Sequence, residues 1–167
     1  TKVSEAGRCG PSSDSAPRRL REYYSVPFRM GVIEGGARAY MAAYNGMNHI
    51  PMTVHPILRE ITMKEWGVDG IICTDAGSLR NMVNPKMHNY YKTNAEGAAG
   101  SVKAGINQFL ESASLYRPAI QEALQKNLLT EKDIEDVIKG EFRIMIKLGL
   151  LDPPALVKYA GIKGDEE

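Results

Sequence analysis

The chain has 167 residues, a length that fits one domain or part of a larger one. Hydrophobic residues make up 43% and charged residues 25%, enough apolar content for a packed core, and a net charge of +1 leaves no basic excess to draw nucleic acid. No apolar run approaches a membrane span, and the two cysteines, Cys9 and Cys73, stand in no metal-ligand spacing.

Residues 1–17 are rich in Gly, Ser, Pro and charge and read as a loop or linker. They lack the apolar core of a signal peptide. The chain does not begin with Met, so both ends are expected to be cut from something longer. A disulfide between Cys9 and Cys73 has no support in the sequence.

From residue 18 to 35, Leu20, Tyr23, Tyr24, Phe28, Val32 and Ile33 recur close to helical spacing. Pro27 predicts a break or kink, and Gly35-Gly36 an end. Residues 37–44 are short and apolar and are expected as a strand, and Asn45-Gly46 with Asn48 mark a turn. Pro56 suits the first turn of a helix running to Trp66, with Trp66 buried where that helix meets the sheet. A second strand is expected over 70–74. Residues 76–92 read as a polar connection whose stretch Met82–Tyr91 either overhangs a pocket or packs under the next helix. Thr93 or Asn94 caps an Ala-rich helix to Ala104. Residues 106–110 are expected as a third strand and 116–126 as a helix.

Thr130, with Asp133 three residues on, opens the clearest helix. Its apolar stripe is Ile134, Val137, Ile138, Phe142, Met145 and Ile146, and Gly149 and Pro153-Pro154 end it. Residues 155–167 read as a tail or linker. Strands alternating with helices imply a parallel sheet. Three strands do not close a barrel, so the alternatives are a small open sheet or part of a larger barrel.

One segment bears chemistry. Gly70 leads into the apolar run Ile71 to Thr74, Asp75 follows it, and Gly77 lets the chain leave. The carboxyl end of a parallel strand is where α/β folds place reacting groups. Alone, Asp75 reads equally well as a helix-capping carboxylate, and Tyr44 as a core aromatic at a strand end. His49, His55 and His88 are scattered in no metal spacing and read as surface or helix-start residues. Glu65 and Asp69 flank the strand entrance and read as structural.

In chain order, Leu20-Arg21-Glu22-Tyr23-Tyr24 with Pro27-Phe28-Arg29, Met41 to Asn48, Glu65 to Asp75, Ala104 to Asn107 and Lys147 to Pro154 resemble consecutive motifs of glycoside hydrolase family 3. The resemblance covers about residues 18–154. It implies an α/β fold, the C-terminal part of a (β/α)8 TIM-type barrel with about three parallel strands. Residues 1–17 are then a leader and 155–167 a tail or inter-domain linker.

By that resemblance Asp75 is the catalytic nucleophile of a retaining β-glucosidase or β-xylosidase. Tyr44 borders the sugar subsite beside it, and Met41 lines the pocket. The family's acid/base lies outside this chain, which is expected to be inactive alone. The expected partners are a carbohydrate substrate and the missing barrel half and C-terminal domain of a longer parent. Neither metal nor cofactor, nucleic acid nor membrane is expected. A periplasmic or secreted location follows from the family alone. The sequence departs from the family at Ala76, where Trp is frequent, and at Asn107, where Asp is usual.

Three other readings remain. One is the β-N-acetylglucosaminidase branch of the family, disfavoured by Tyr44-Asn45. Another is a non-catalytic fragment that buries its strand edges on a partner. The last is an unrelated phosphate-binding barrel, which the lack of a Gly-rich loop over 106–118 opposes.

Overall fold

A computed structural model describes residues 12–158 and 161–162. Cys9, and with it any pairing to Cys73, lies outside the described residues. Two parallel strands carry the centre of the fold: β2 (Ala39–Ala42) lies beside β5 (Ile71–Thr74), in register from Ala39 against Ile71 to Ala42 against Thr74. A smaller sheet joins β1 (Ser12–Ser13), β3 (Gly46–Met47) and β4 (Ile50–Pro51). The helices are α1 (Pro17–Arg19), α2 (Val26–Ile33), α3 (Ser78–Val83), α4 (Asn94–Ala104), α5 (Ala113–Gln125) and α6 (Glu131–Lys147).

The chemistry of the sequence accounts for most of these elements. Pro27 lies in the first turn of α2, where a missing N–H costs nothing. The helical run before it passes through a π-helical turn, Leu20–Tyr24, and breaks at Ser25. A second π-helical stretch, Leu58–Met63, fills the helix expected after Pro56. Asn48 and His49 both take positive φ, the conformation that closes the tight β3–β4 hairpin. Thr93 and Thr130 each head a reciprocal capping box, with Glu96 and Asp133.

Side-chain exposure alternates along the central pair. Ile72 and Thr74 are buried under the helices, whereas Ile71 and Cys73 are half-buried and Met41 is 51% exposed. One face of the pair is thus packed and the other open. Among the described residues β2 has no strand on its far edge. A parallel sheet needs both faces covered, so the pair is a sector of a larger α/β structure.

Three apolar clusters form behind the packed face. Leu58, Val68, Ile72 and Ile106 make one, and Leu79, Met82, Ala98 and Ala119 another. Val102, Ala123, Leu129 and Val137 make the third. Each fully buried Leu or Ile contributes about 1.5–3 kcal/mol.

The structure corrects five expectations. The connection 76–92 contains a helix, α3, whose length of fewer than two turns hides its period. Residues 106–110 run beside β5 but make one isolated bridge, Gln108 against Cys73, instead of a strand. Side chains supply two of the rungs there, beside backbone bonds such as Thr74 N to Gln108 O: Ile72 N donates to Asn107 Oδ1 (2.9 Å) and Leu110 N to Thr74 Oγ1 (2.9 Å). Trp66 is only half-buried and lines an open groove. The α6 stripe is covered at Val137 and bare at Ile138, Phe142 and Ile146. Ser12–Ser15, expected as loop, docks on the hairpin: Ser15 N donates to Asn48 Oδ1 (2.8 Å) and His49 N to Ser12 Oγ (2.7 Å).

Candidate active site

Asp75 stands one residue beyond β5. Its backbone N–H donates to the Ala42 carbonyl (3.1 Å), continuing the β2–β5 pairing by one step. It lies two residues past Cys73, so strand alternation puts it on the open face of the sheet. The Asp75 Oδ1 accepts from the Ala76 amide (2.8 Å), and the Asp75 carbonyl accepts from Ser78 N (3.2 Å). Between them Gly77, at φ +80°, reverses the chain so that α3 can begin at Ser78. The result is a half-buried carboxylate at a strand end, held by its own turn. Among the described residues no Lys or Arg forms an ion pair with it.

Tyr44 leaves the end of β2 and reaches across to this turn. Its hydroxyl donates to the carbonyl of Ala76, the residue after Asp75. That bond goes to the backbone next to the carboxylate. His88, in the loop after α3, meets the Tyr44 carbonyl through Nε2 at 2.6 Å. Tyr44 thus joins the Asp75 turn, through its hydroxyl, to the loop after α3, through its carbonyl.

Met41 is placed differently. It shares β2 and the register of Cys73 with the Asp75 strand, but its side chain lines an apolar groove along the open edge of β2. This groove, about 400 Å³, is also walled by Phe28, Tyr40, Met52 and Trp66, and neither Asp75 nor Tyr44 borders it. The structure thus brings Asp75 and Tyr44 together through Ala76 and leaves Met41 on the neighbouring groove.

The electrostatics around Asp75 are those of a partly enclosed carboxylate. Burial, with the charge of Asp75 adding, pushes the Cys73 thiol up. At the other end of the strand, Asp69 pairs with Arg38 (2.5 Å) and lies near Arg143 (3.7 Å), and Glu65 takes Arg21 through two bonds of 2.6 and 2.7 Å. Those two acids, read as structural, do clamp helices to the strand entrance. His55 starts its helix as expected, with Nδ1 accepting from Ile57 N (3.1 Å), and burial holds its pKa down. Among the described residues no three His, Cys, Asp or Glu side chains converge as metal ligands.

Two residues near the site escaped the sequence reading. His88 looked like one of three scattered histidines, and nothing local marks its reach to Tyr44. Glu111 had a usable signal, since it follows a strand-like run just as Asp75 does. Its side chain is 1% exposed, and Oε1 accepts from Leu79 N in the first turn of α3 (2.8 Å).

Comparison with known proteins bears on the family and the fold. The sequence model described as "Glycosyl hydrolase family 3 N terminal domain" matches residues 2–141. A probable exo-1,4-β-xylosidase of Aspergillus terreus is 29% identical over 147 residues, covering 86% of this chain and 19% of that protein. A β-D-xylosidase of Arabidopsis thaliana is 31% identical over 134 residues, covering 80% and 17%. The chain thus spans under a fifth of the length of these two relatives. Among solved structures, an exo-β-xylosidase in complex with a xylobiose aziridine probe superposes with a TM-score of 0.82 at 24% identity, over 93% of this chain and 20% of that one. A β-glucosidase of Listeria innocua gives 0.80 at 23%, over 97% and 21%. These likenesses show the TIM-barrel-like α/β fold, of which this chain is a sector.

Proposed function

The chain belongs to glycosyl hydrolase family 3, and from that premise we propose that it carries the nucleophile strand of a retaining β-glycosidase acting on β-xylosides or β-glucosides. The observation that supports this most is Asp75 itself: a half-buried carboxylate at the carboxyl end of a parallel strand, with Tyr44 latched to the next residue. The relatives named as xylosidases point to the substrate class.

In this reading a carboxylate oxygen of Asp75 attacks the anomeric carbon. The bond from that carbon to the leaving oxygen breaks, and the leaving oxygen takes a proton from a general acid. Water then attacks the same carbon and gives its proton to that group, now a base. The carbon–Asp75 bond breaks and the carboxylate is restored. Tyr44 borders the sugar and orients the Asp75 turn through Ala76, while Met41 lines the neighbouring groove. No residue of this chain is assigned as the acid/base. The barrel part spans 18–154, with β1 packed ahead of it on the β3–β4 hairpin. The chain alone is then inactive, because a nucleophile without its acid does not supply the roughly 8 kcal/mol or more by which enzymes lower barriers.

The test uses the longest reading frame carrying this chain, treated with 2-deoxy-2-fluoro xylosyl and glucosyl reagents that stall the second step. A glycosyl adduct mapped by mass to Asp75 is the expected result. Turnover of aryl glycosides with an adduct on another carboxylate would overturn the assignment.

A further inference from the structure

The turn that presents Asp75 is held at four points by two separate segments, the end of β2 and residues 110–111. At its start, Asp75 N donates to Ala42 O; at Ala76, the Tyr44 hydroxyl donates to the carbonyl. At Gly77, the amide donates to Leu110 O (3.1 Å), and Leu110 N in turn donates to Thr74 Oγ1 (2.9 Å). At the exit, Leu79 N donates to Glu111 Oε1 (2.8 Å), and the other oxygen of Glu111 lies 3.5 Å from Arg80 Nε. Leu79 is fully buried and Ser78 nearly so. The Glu111 side chain is 1% exposed, while its cationic partner Arg80 is 70% exposed on the surface. Burying a carboxylate is costly unless its oxygens are taken. A helix as short as α3 needs no such group merely to exist, since α2 and the π-helical turns start without a side-chain cap.

We propose that Glu111 is a positioning residue for the nucleophile: its carboxylate fixes the Leu79 amide and thereby the aim of Asp75 four residues upstream. The proposal rests on the reading of Asp75 given above. The linkage is geometric. Ala76 and Gly77 are tied in the middle of the turn, and the Leu79 tie holds its exit, so loss of the Glu111 bond frees the end of the turn where α3 begins. Glu111 comes from the segment that the third pass of the sheet provides, and so couples the nucleophile turn to the neighbouring pass. What matters is reach to Leu79 N, with charge secondary.

Reach and charge separate in two substitutions. Glu111→Gln keeps an acceptor oxygen at the same length and loses the charge. Glu111→Asp keeps the charge and falls one methylene short. In the same full-length reading frame, the rate of Asp75 labelling at saturating fluoro-glycoside is followed beside the reagent concentration giving half that rate and the thermal midpoint. The expected result is a Glu111→Asp labelling rate reduced roughly 10- to 100-fold, the scale of small misplacements of a reacting group, with the half-saturating concentration little changed. Glu111→Gln is expected within about threefold of the unsubstituted protein, a free-energy difference below one neutral hydrogen bond. A folded Glu111→Asp protein labelled at the full rate would overturn the proposal, as would Glu111→Gln slowed as much as Glu111→Asp. If Glu111→Asp does not fold, Glu111→Gln decides alone, because a slowed, folded Gln variant already contradicts the primacy of reach. Absence of any Asp75 adduct in the unsubstituted protein is a separate outcome, which overturns the nucleophile reading and this proposal with it.

Discussion

Asn107 and Val137 are joined by a hydrogen bond that a carboxylate could not make. Asn107 Nδ2 donates to Val137 O in α6 (3.1 Å) and also to Gly70 O at the entrance of β5 (2.9 Å), while Oδ1 accepts from Ile72 N. One side chain thus pins a helix, a strand entrance and a ladder position together.

Asn107→Asp is therefore expected to destabilise the fold, although Asp is the residue the family resemblance would suggest there. It would set a carboxylate against two carbonyls and remove both donors. A loss of about 1–3 kcal/mol follows for leaving buried partners unsatisfied. Denaturant midpoints of the two proteins would check this, and an unchanged midpoint would contradict it.

Gly140→Ala is expected to cost a comparable amount. A Cβ on Gly140 would fall 2.3 Å from Gly70 O and 3.0 Å from Asn107 Nδ2. Helix α6 would have to lift from the strand entrance, and overpacking of this kind costs about 1–3 kcal/mol. The thermal midpoint reads the effect directly, and an Ala variant as stable as the parent would refute the close approach.

Acid should loosen the structure in a defined window. The Arg21 side chain beside Glu65 holds that carboxyl below its ordinary 4.5, and the amides of Thr93 and Lys92 do the same for Glu96. Thr130 lowers Asp133, and Lys132 lowers Asp136, from the ordinary 3.8. A carboxyl lowered in the folded state contributes stability that is complete above its unfolded pKa and disappears as pH falls through the folded one. These carboxyls should thus contribute stability that is complete above 4.5 and declines below it, after an earlier decline that begins near 6.5 as the half-buried His55 resists protonation. Glu96→Gln keeps the acceptor of the capping box and removes one titrating group. Melting curves between neutral and acid pH should then show a shallower decline for that variant, and an equal decline would exclude Glu96 as a contributor.

Tyr44→Phe isolates the latch on the Asp75 turn. The ring stays and the hydroxyl bond to Ala76 is lost. One net hydrogen bond is worth about 1 kcal/mol, or roughly fivefold in rate if it is felt only when the turn is aligned. Slower labelling of Asp75, with a thermal midpoint lowered by no more than the loss of one hydrogen bond, is the expected outcome. Labelling at the full rate would make Tyr44 a packing residue.

Much of this was legible in the residues because the signals are local. Thr93 and Thr130 announce their helices by capping chemistry, Ile71 to Thr74 reads as a buried strand between glycines, and Asp75 is marked by where that strand ends. What stayed hidden depends on distance in the chain. Asn107 takes a backbone role for Ile72 across 35 positions, and His88 meets Tyr44 across 44. No periodicity encodes such pairings. Helix α3 was missed because six residues span fewer than two turns. Trp66 and the outer half of α6 looked like core from their apolarity, which registers what a residue would prefer to touch and says nothing of whether a neighbour is present.

An ordinary β-ladder is indifferent to sequence, since its rungs are peptide groups that every residue except proline supplies. Beside β5 two of the rungs are an amide oxygen of Asn107 and a hydroxyl of Thr74. This edge has therefore lost the usual tolerance of sheets to substitution. A single base change at either codon can cut a rung as surely as a proline would in a regular strand, even though neither residue is expected to touch sugar.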